Sequence, residues 1–158
     1  MIIITKQGYD KLTNELKKLV NEDLIDASHQ LEETRPIGVS DEFPMEYLQA
    51  LDNQNRIEKK IVDINDIISD CIIYNESMNK KSPNGDFLVG FGATVSFIDC
   101  DTDEQKIFTI VSSYESDISN GLISIEAPLI KEMINLKVGD FFEYNEKEFV
   151  ISNIQYSL

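Results

Sequence analysis

From Lys6 onward apolar residues return every three or four positions: Tyr9, Leu12, Leu16 and Leu19, then Val20, Leu24, Ala27 and Leu31, one position over. That period predicts an amphipathic helix, capped by Thr5 and running to about Thr34, whose stripe drifts as a long helix winds around a partner. A second run keeps strict three-four spacing: Tyr47, Ala50, Gln54, Ile57, Ile61, Ile64, Ile68 and Cys71. It reads as a heptad seam with Gln54 as its one polar member. Between the two lies the breaker Arg35-Pro36-Ile37-Gly38-Val39-Ser40. Neither stripe can be buried alone, so the helices are expected to fold back antiparallel as a coiled-coil hairpin with residues 35–46 at its tip. At about 1.5 Å per residue, helices near 30 residues long reach about 45 Å.

A polar stretch, residues 75–85, ends the helical half, and the period then changes to two. Thr94–Ile98 and Ile107–Val111 read as strands around an Asp99–Gln105 turn, and Leu122–Ile125 as a third. Phe141–Tyr144 and Glu148–Ile151 flank a hairpin turn at Asn145-Glu146-Lys147. Residues 127–134 read as a short helix with Pro128 near its first position. The fold class is therefore α+β: a coiled-coil domain over residues 1–75, a linker over 76–85, and a compact domain over 86–158.

Composition narrows the function. Hydrophobic residues are 42% of 158, enough for real cores, and no apolar run approaches the roughly 18 residues of a membrane span. Met1–Thr5 has no charged leader region, so a cytoplasmic protein without a membrane partner is expected. The net charge is −15, and the excess of acid is shared: 8 basic and 15 acidic residues in 1–75, 6 and 14 in 76–158. Neither half suits unaided nucleic-acid binding, whereas a basic surface on another protein would be attracted. Cys71 and Cys100 read as reduced thiols, and with His29 as the sole histidine a zinc site would need carboxylates.

Most catalytic signatures are missing. Gly90-Phe91-Gly92 enters a strand and not a helix, so it is no dinucleotide loop. Asp99, Asp101, Asp103 and Glu104 lack the glycine and the glutamate of a calcium loop and read as a solvated hairpin. His29 reads as a solvated helix residue. What stands out is Ser40-Asp41-Glu42-Phe43-Pro44-Met45-Glu46-Tyr47, three acids and exposed apolar side chains at the end of a rod. Locally, Asp41 suits an N-cap, with Glu42 and Glu46 favouring the positive end of the helix dipole. Alternatively, carboxylates carried on a rod could complete a divalent-metal site in a partner enzyme.

The whole chain resembles the bacterial GreA/GreB transcript cleavage factors. The similarity runs through Thr5-Lys6-Gln7-Gly8-Tyr9-Asp10-Lys11-Leu12, Glu46-Tyr47, Gln54 to Ile61 and Phe91-Gly92-Ala93-Thr94-Val95. It continues through residues 122–129, Val138-Gly139-Asp140 and Ile154-Gln155-Tyr156. The resemblance implies a C-terminal domain of FKBP-like fold that docks on RNA polymerase, and a coiled coil that enters the secondary channel. Two tip acids would help the polymerase hold a second Mg²⁺ and cleave the 3′ end of backtracked RNA. The protein would be a monomeric cofactor of that enzyme, binding no cofactor alone and with no turnover of its own.

In the family the tip reads Gly-Asp-Leu-x-Glu-Asn-Ala-Glu-Tyr, eight steps from Gly to Tyr. Here Gly38 to Tyr47 is nine. Counting from Gly38 puts the acid positions on Val39 and Glu42; counting back from Tyr47 puts them on Ser40 and Phe43. Asp41 and Glu42 are the nearest candidates for catalysis and for the shared Mg²⁺. The alternative is a regulator of the same fold that occupies the channel without stimulating cleavage. For docking, the resemblance points to Glu115 and Asp117 and to Ala127 and Pro128.

Overall fold

A computed structural model describes residues 2–38 and 43–157, so Asp41 and Glu42, with Val39 and Ser40, lie outside the described residues. The chain divides into two compact units, Tyr9–Cys71 and Met1–Gly8 with Ile72–Leu158.

In the helical unit, α1 (Lys6–Lys18) passes through a π-helical stretch, Leu19–Asp23, into α2 (Leu24–Glu33). The single helix α3 (Met45–Asp70) returns antiparallel. Residues 30–34 of the first arm lie across a groove from residues 46–53, while Glu15 pairs with Lys60 at 2.6 Å. The expected α3 seam is the buried face: Ala50 and Ile64 are buried, and Tyr47, Gln54, Ile57, Ile61, Ile68 and Cys71 half-buried. Gln54 Nε2 donates to Glu58 at 3.0 Å. Its Oε1 is the one buried side-chain oxygen or nitrogen without a partner among the described residues.

The first arm corrects one expectation. Its stripe does not drift through Val20, which is 41% exposed, but steps from buried Leu19 to Leu24. The Leu24 N–H donates to the Leu19 carbonyl, a five-residue step that keeps both leucines on one face where an α-turn would rotate Leu24 away. The extra residue is absorbed in one wide turn and not by slow winding.

In the other unit, β1 (Ile2–Ile4) pairs with β2 (Cys71–Ile73), and the Ile4 carbonyl accepts from Tyr74 N at 2.8 Å. The main sheet contains β3 (Ala93–Asp99), β4 (Gln105–Val111), β5 (Leu122–Ser124), β6 (Phe141–Tyr144) and β7 (Lys147–Tyr156). Its order is β5-β4-β3-β7-β6, antiparallel except for β4 with β5. The β6–β7 connection is two residues, Asn145 and Glu146, both at positive φ, which matches the twist of the strands. β7 runs longer than its hydrophobic pattern indicated. Ser152 is an extra residue opposite the step from Ser96 to Phe97, and its hydroxyl donates to the Ser96 carbonyl at 3.0 Å.

Phe97 centres the core, its ring meeting the edges of Phe142 and Phe149 at 5.5 Å. The helix α4 (Pro128–Met133) closes that core with Ile130 and Met133, both fully buried. The polar stretch before the sheet is held down: Lys80 Nζ donates to Asn135 at 2.9 Å, and Tyr156 Oη donates to the Leu88 carbonyl at 2.7 Å.

The β3–β4 turn is not simply solvated, as its acids suggested. Asp99 is 2% exposed and accepts from the amides of Asp101 and Thr102, at 3.0 and 3.2 Å, and from Lys147 Nζ at 3.0 Å. The Asp101 amide first, then the Lys147 ammonium and after it the Thr102 amide, hold its carboxyl below the usual range, while Asp99 raises Lys147. Stabilisation by a depressed carboxyl is present above its unfolded pKa and disappears as pH falls through the lower folded value. For Lys147 it is complete below the unfolded pKa and disappears as pH rises through the higher folded one.

Two expectations follow from this geometry. Deleting Val20 converts the π step to an ordinary turn with Leu19 and Leu24 four apart, so thermal melting by circular dichroism stays within about 5 °C of the parent; a larger fall would refute the register argument. Asp99→Asn lowers the melting temperature at neutral pH, and the difference from the parent shrinks on acidification below the normal carboxylate range.

Candidate functional site

Two surfaces carry the residues singled out by sequence. The first is the end of the helical arm. Ile37 is fully exposed, Phe43 is 57% exposed and Met45 70%. Phe43 stacks on Tyr47, one turn into α3, with ring centroids 5.4 Å apart and planes at 23°. The helix begins at Met45 with Pro44 as the flanking residue, whose carbonyl accepts from Leu48 N at 3.1 Å. Pro44 thus holds the flanking position for which the sequence suggested Asp41, itself outside the described residues; Glu46 is the acid in the first turn. His29 is exposed, as expected.

The second surface lies on the sheet unit, where the loop after β4 meets the loop after β5. A cleft of about 340 Å³ is lined by Ile2, Ile3 and Phe91 together with Tyr114, Ile125 and Glu126. Ser113 Oγ donates to Glu126 Oε2 at 2.9 Å and lies 3.1 Å from Ser124 Oγ, tying the two loops together. Tyr114 is half exposed.

The four docking candidates do not line this cleft; Glu115 and Ala127 adjoin its lining residues Tyr114 and Glu126 in sequence, and the four have different environments. The Glu115 carboxylate is turned inward: it accepts from Thr5 N at 3.2 Å, from the Thr5 hydroxyl, and from Ser112 Oγ at 2.7 Å. Asp117 accepts from the Ser119 hydroxyl and from Asn120 Nδ2 at 2.7 Å. Those two side chains hold its carboxyl below the ordinary range, so it stays charged in mild acid. Ala127 is the flanking residue of α4, and Pro128, exposed, fills the first helical position, where no N–H is needed. Thr5, Gly8 and Ser112 were not among the expected site residues. Thr5 was legible as a cap, but its acceptor is 110 residues away. Among the described residues no group of three or more His, Cys, Asp or Glu side chains is placed to hold a metal ion. No described helix is long and apolar enough to cross a membrane.

Two family models match, and together they span nearly the whole chain. "Transcription elongation factor, N-terminal" covers residues 2–73, and "Transcription elongation factor, GreA/GreB, C-term" covers residues 85–156. The chain belongs to the GreA/GreB transcription elongation factor family. Transcription elongation factor GreA of Nautilia profundicola is 35% identical over 142 residues, covering 90% of this chain and 84% of the relative. GreA of Rickettsia felis is 34% identical over 157 residues, with 97% and 93% coverage. Among solved structures, GreA factor homolog 1 of Thermus thermophilus is 25% identical with 98% coverage of each chain and a TM-score of 0.42.

The tip aromatics of this GreA/GreB family member contribute little to folding. Phe43→Ala costs about 1 kcal/mol or less in urea unfolding, the scale of one exposed ring pair. Phe97→Ala, which empties the sheet core, costs about 3–5 kcal/mol.

Proposed function

We propose that the protein binds RNA polymerase as a monomer, inserts its helical arm into the secondary channel, and stimulates Mg²⁺-dependent cleavage of backtracked RNA. The observation that carries this reading is a two-helix arm whose described end residues, Ile37, Phe43 and Met45, are exposed, in a chain that family models match over residues 2–73 and 85–156. The sheet unit would dock through Asp117, Ala127 and Pro128, with Glu115 holding the loop from within. Its acidic surface favours a basic partner face.

Asp41 and Glu42 would share the second Mg²⁺ of the polymerase. Carboxylate oxygens suit this hard cation, which takes one or two such ligands from any one source. The bound ion supplies Lewis-acid polarisation of the phosphodiester and activation of a water. The chain's own task is delivery: it orients two carboxylates beside the RNA 3′ end and performs no turnover by itself. Cleavage chemistry then belongs to the polymerase.

A second reading is favoured by the tip sequence. One counting register puts Phe43, an exposed ring and not an acid, at a family acid position. A protein with such a tip would occupy the channel and slow nucleotide addition without promoting cleavage. Purified polymerase halted on backtracked RNA distinguishes the two. On the preferred reading the protein releases short 3′ fragments, and Asp41→Ala or Glu42→Ala lowers that rate at least about tenfold, the scale of disturbing a metal site, with polymerase binding retained. No fragment release at any Mg²⁺ concentration, together with slowed nucleotide addition, would establish the second reading instead.

A further inference from the structure

We infer that Glu115 is a positioning residue: with Thr5 and Gly8 it latches the loop over residues 112–117 onto the start of the chain, and this latch sets the shape of the cleft. The inference rests on the polymerase-binding reading only for what the cleft meets.

Three donors from two distant segments converge on one carboxylate. Thr5 N and the Thr5 hydroxyl come from the start of the chain, and Ser112 Oγ comes from the loop. The Thr5 hydroxyl is used twice, since it also accepts from Gly8 N at 2.9 Å and so caps the first turn of α1. A hydroxyl has one proton to donate and lone pairs to accept with, so the cap and the latch are compatible and share one oxygen. Gly8 is buried against the same carboxylate, and a Cβ there would overlap Glu115 Oε1, Cδ and Cγ. The start of the helix thus lies directly against the Glu115 side chain, with no room for a Cβ while the carboxylate keeps its position.

The position of the latch gives it a role in binding. Ile2 and Ile3, which line the cleft, immediately precede Ile4 and Thr5; Ser112, Ser113 and Tyr114, which line it too, immediately precede Glu115. The latch thus joins the two chain segments that supply these lining residues. Thr5 itself is 6% exposed and so cannot touch a partner. Any effect of Thr5 on partner affinity must pass through the groups it holds, the loop by way of Glu115 and the first turn of α1 by way of Gly8 N, and Glu115→Gln separates the two because it leaves the cap in place.

Thr5→Val keeps the shape and removes the hydroxyl, while Thr5→Ser keeps the hydroxyl. Hydrogen exchange on the full chain is expected to show residues 2–8 and 112–117 opening together in Thr5→Val, about 10- to 100-fold faster, with the central strand β3 unchanged. Polymerase affinity, measured well below the melting temperature, falls about tenfold while cleavage at saturating protein is unchanged, and Thr5→Ser restores both segments and affinity. Should Thr5→Val fail to fold, Glu115→Gln, which removes one acceptor oxygen at equal volume, reads the same two segments. Faster exchange in only one segment, or joint opening with affinity unchanged, overturns the inference. If the parent does not bind polymerase, the functional reading fails by itself, and joint or separate opening still decides for or against the latch.

Discussion

The burial of the first residues of the chain imposes a sequence of requirements that one carboxylate satisfies. Ile4 is completely buried and takes Thr5 inside with it. A buried amide and hydroxyl are costly unless they find acceptors, and no backbone ladder reaches the Thr5 amide. Glu115 supplies both acceptors from far along the chain, and its closeness leaves Gly8 as the residue that fits. Strand β1, the start of α1 and the loop after β4 are thereby one object.

The helical arm rests on a narrower kind of stability. Its seam is one stripe wide, and large apolar side chains such as Leu48, Leu51 and Val62 remain exposed outside it. Register then matters more than total burial, because a single misplaced residue would rotate every later seam position away from its partner. The π turn at Leu19–Asp23 solves this locally. Gln54 adds a polar point to the seam, and its cost falls on one oxygen and not on the fold.

Charge fits a protein whose chemistry is completed by a partner. Acid predominates in both halves, which keeps the chain from holding RNA phosphates by itself. Two neighbouring carboxylates also fall well short of the six-oxygen shell that Mg²⁺ demands. On the function proposed above, the remaining ligands belong to the polymerase, and the acidic exterior assists docking on a basic face.

Much of this was legible in one dimension. The α3 seam, the Thr5 cap, the β3–β4 and β6–β7 hairpins and the short Pro128 helix follow from local period and local turn chemistry, and each appears where the pattern put it. Less legible were features whose cause lies elsewhere in the chain. Cys71–Ile73 forms a strand because Ile2–Ile4 is beside it, and Ser152 becomes a bulge because β3 is opposite. Asp99 is buried because Lys147 reaches it, although its neighbours in sequence are solvated acids. The amino-acid sequence by itself determined the two helical arms, the main-sheet strands and the family, because periodicity and propensity act within a few residues. Only the tertiary structure decided that Glu115 faces Thr5 and not solvent, because a carboxylate's partners are chosen by proximity in space, across 110 residues that no local pattern spans.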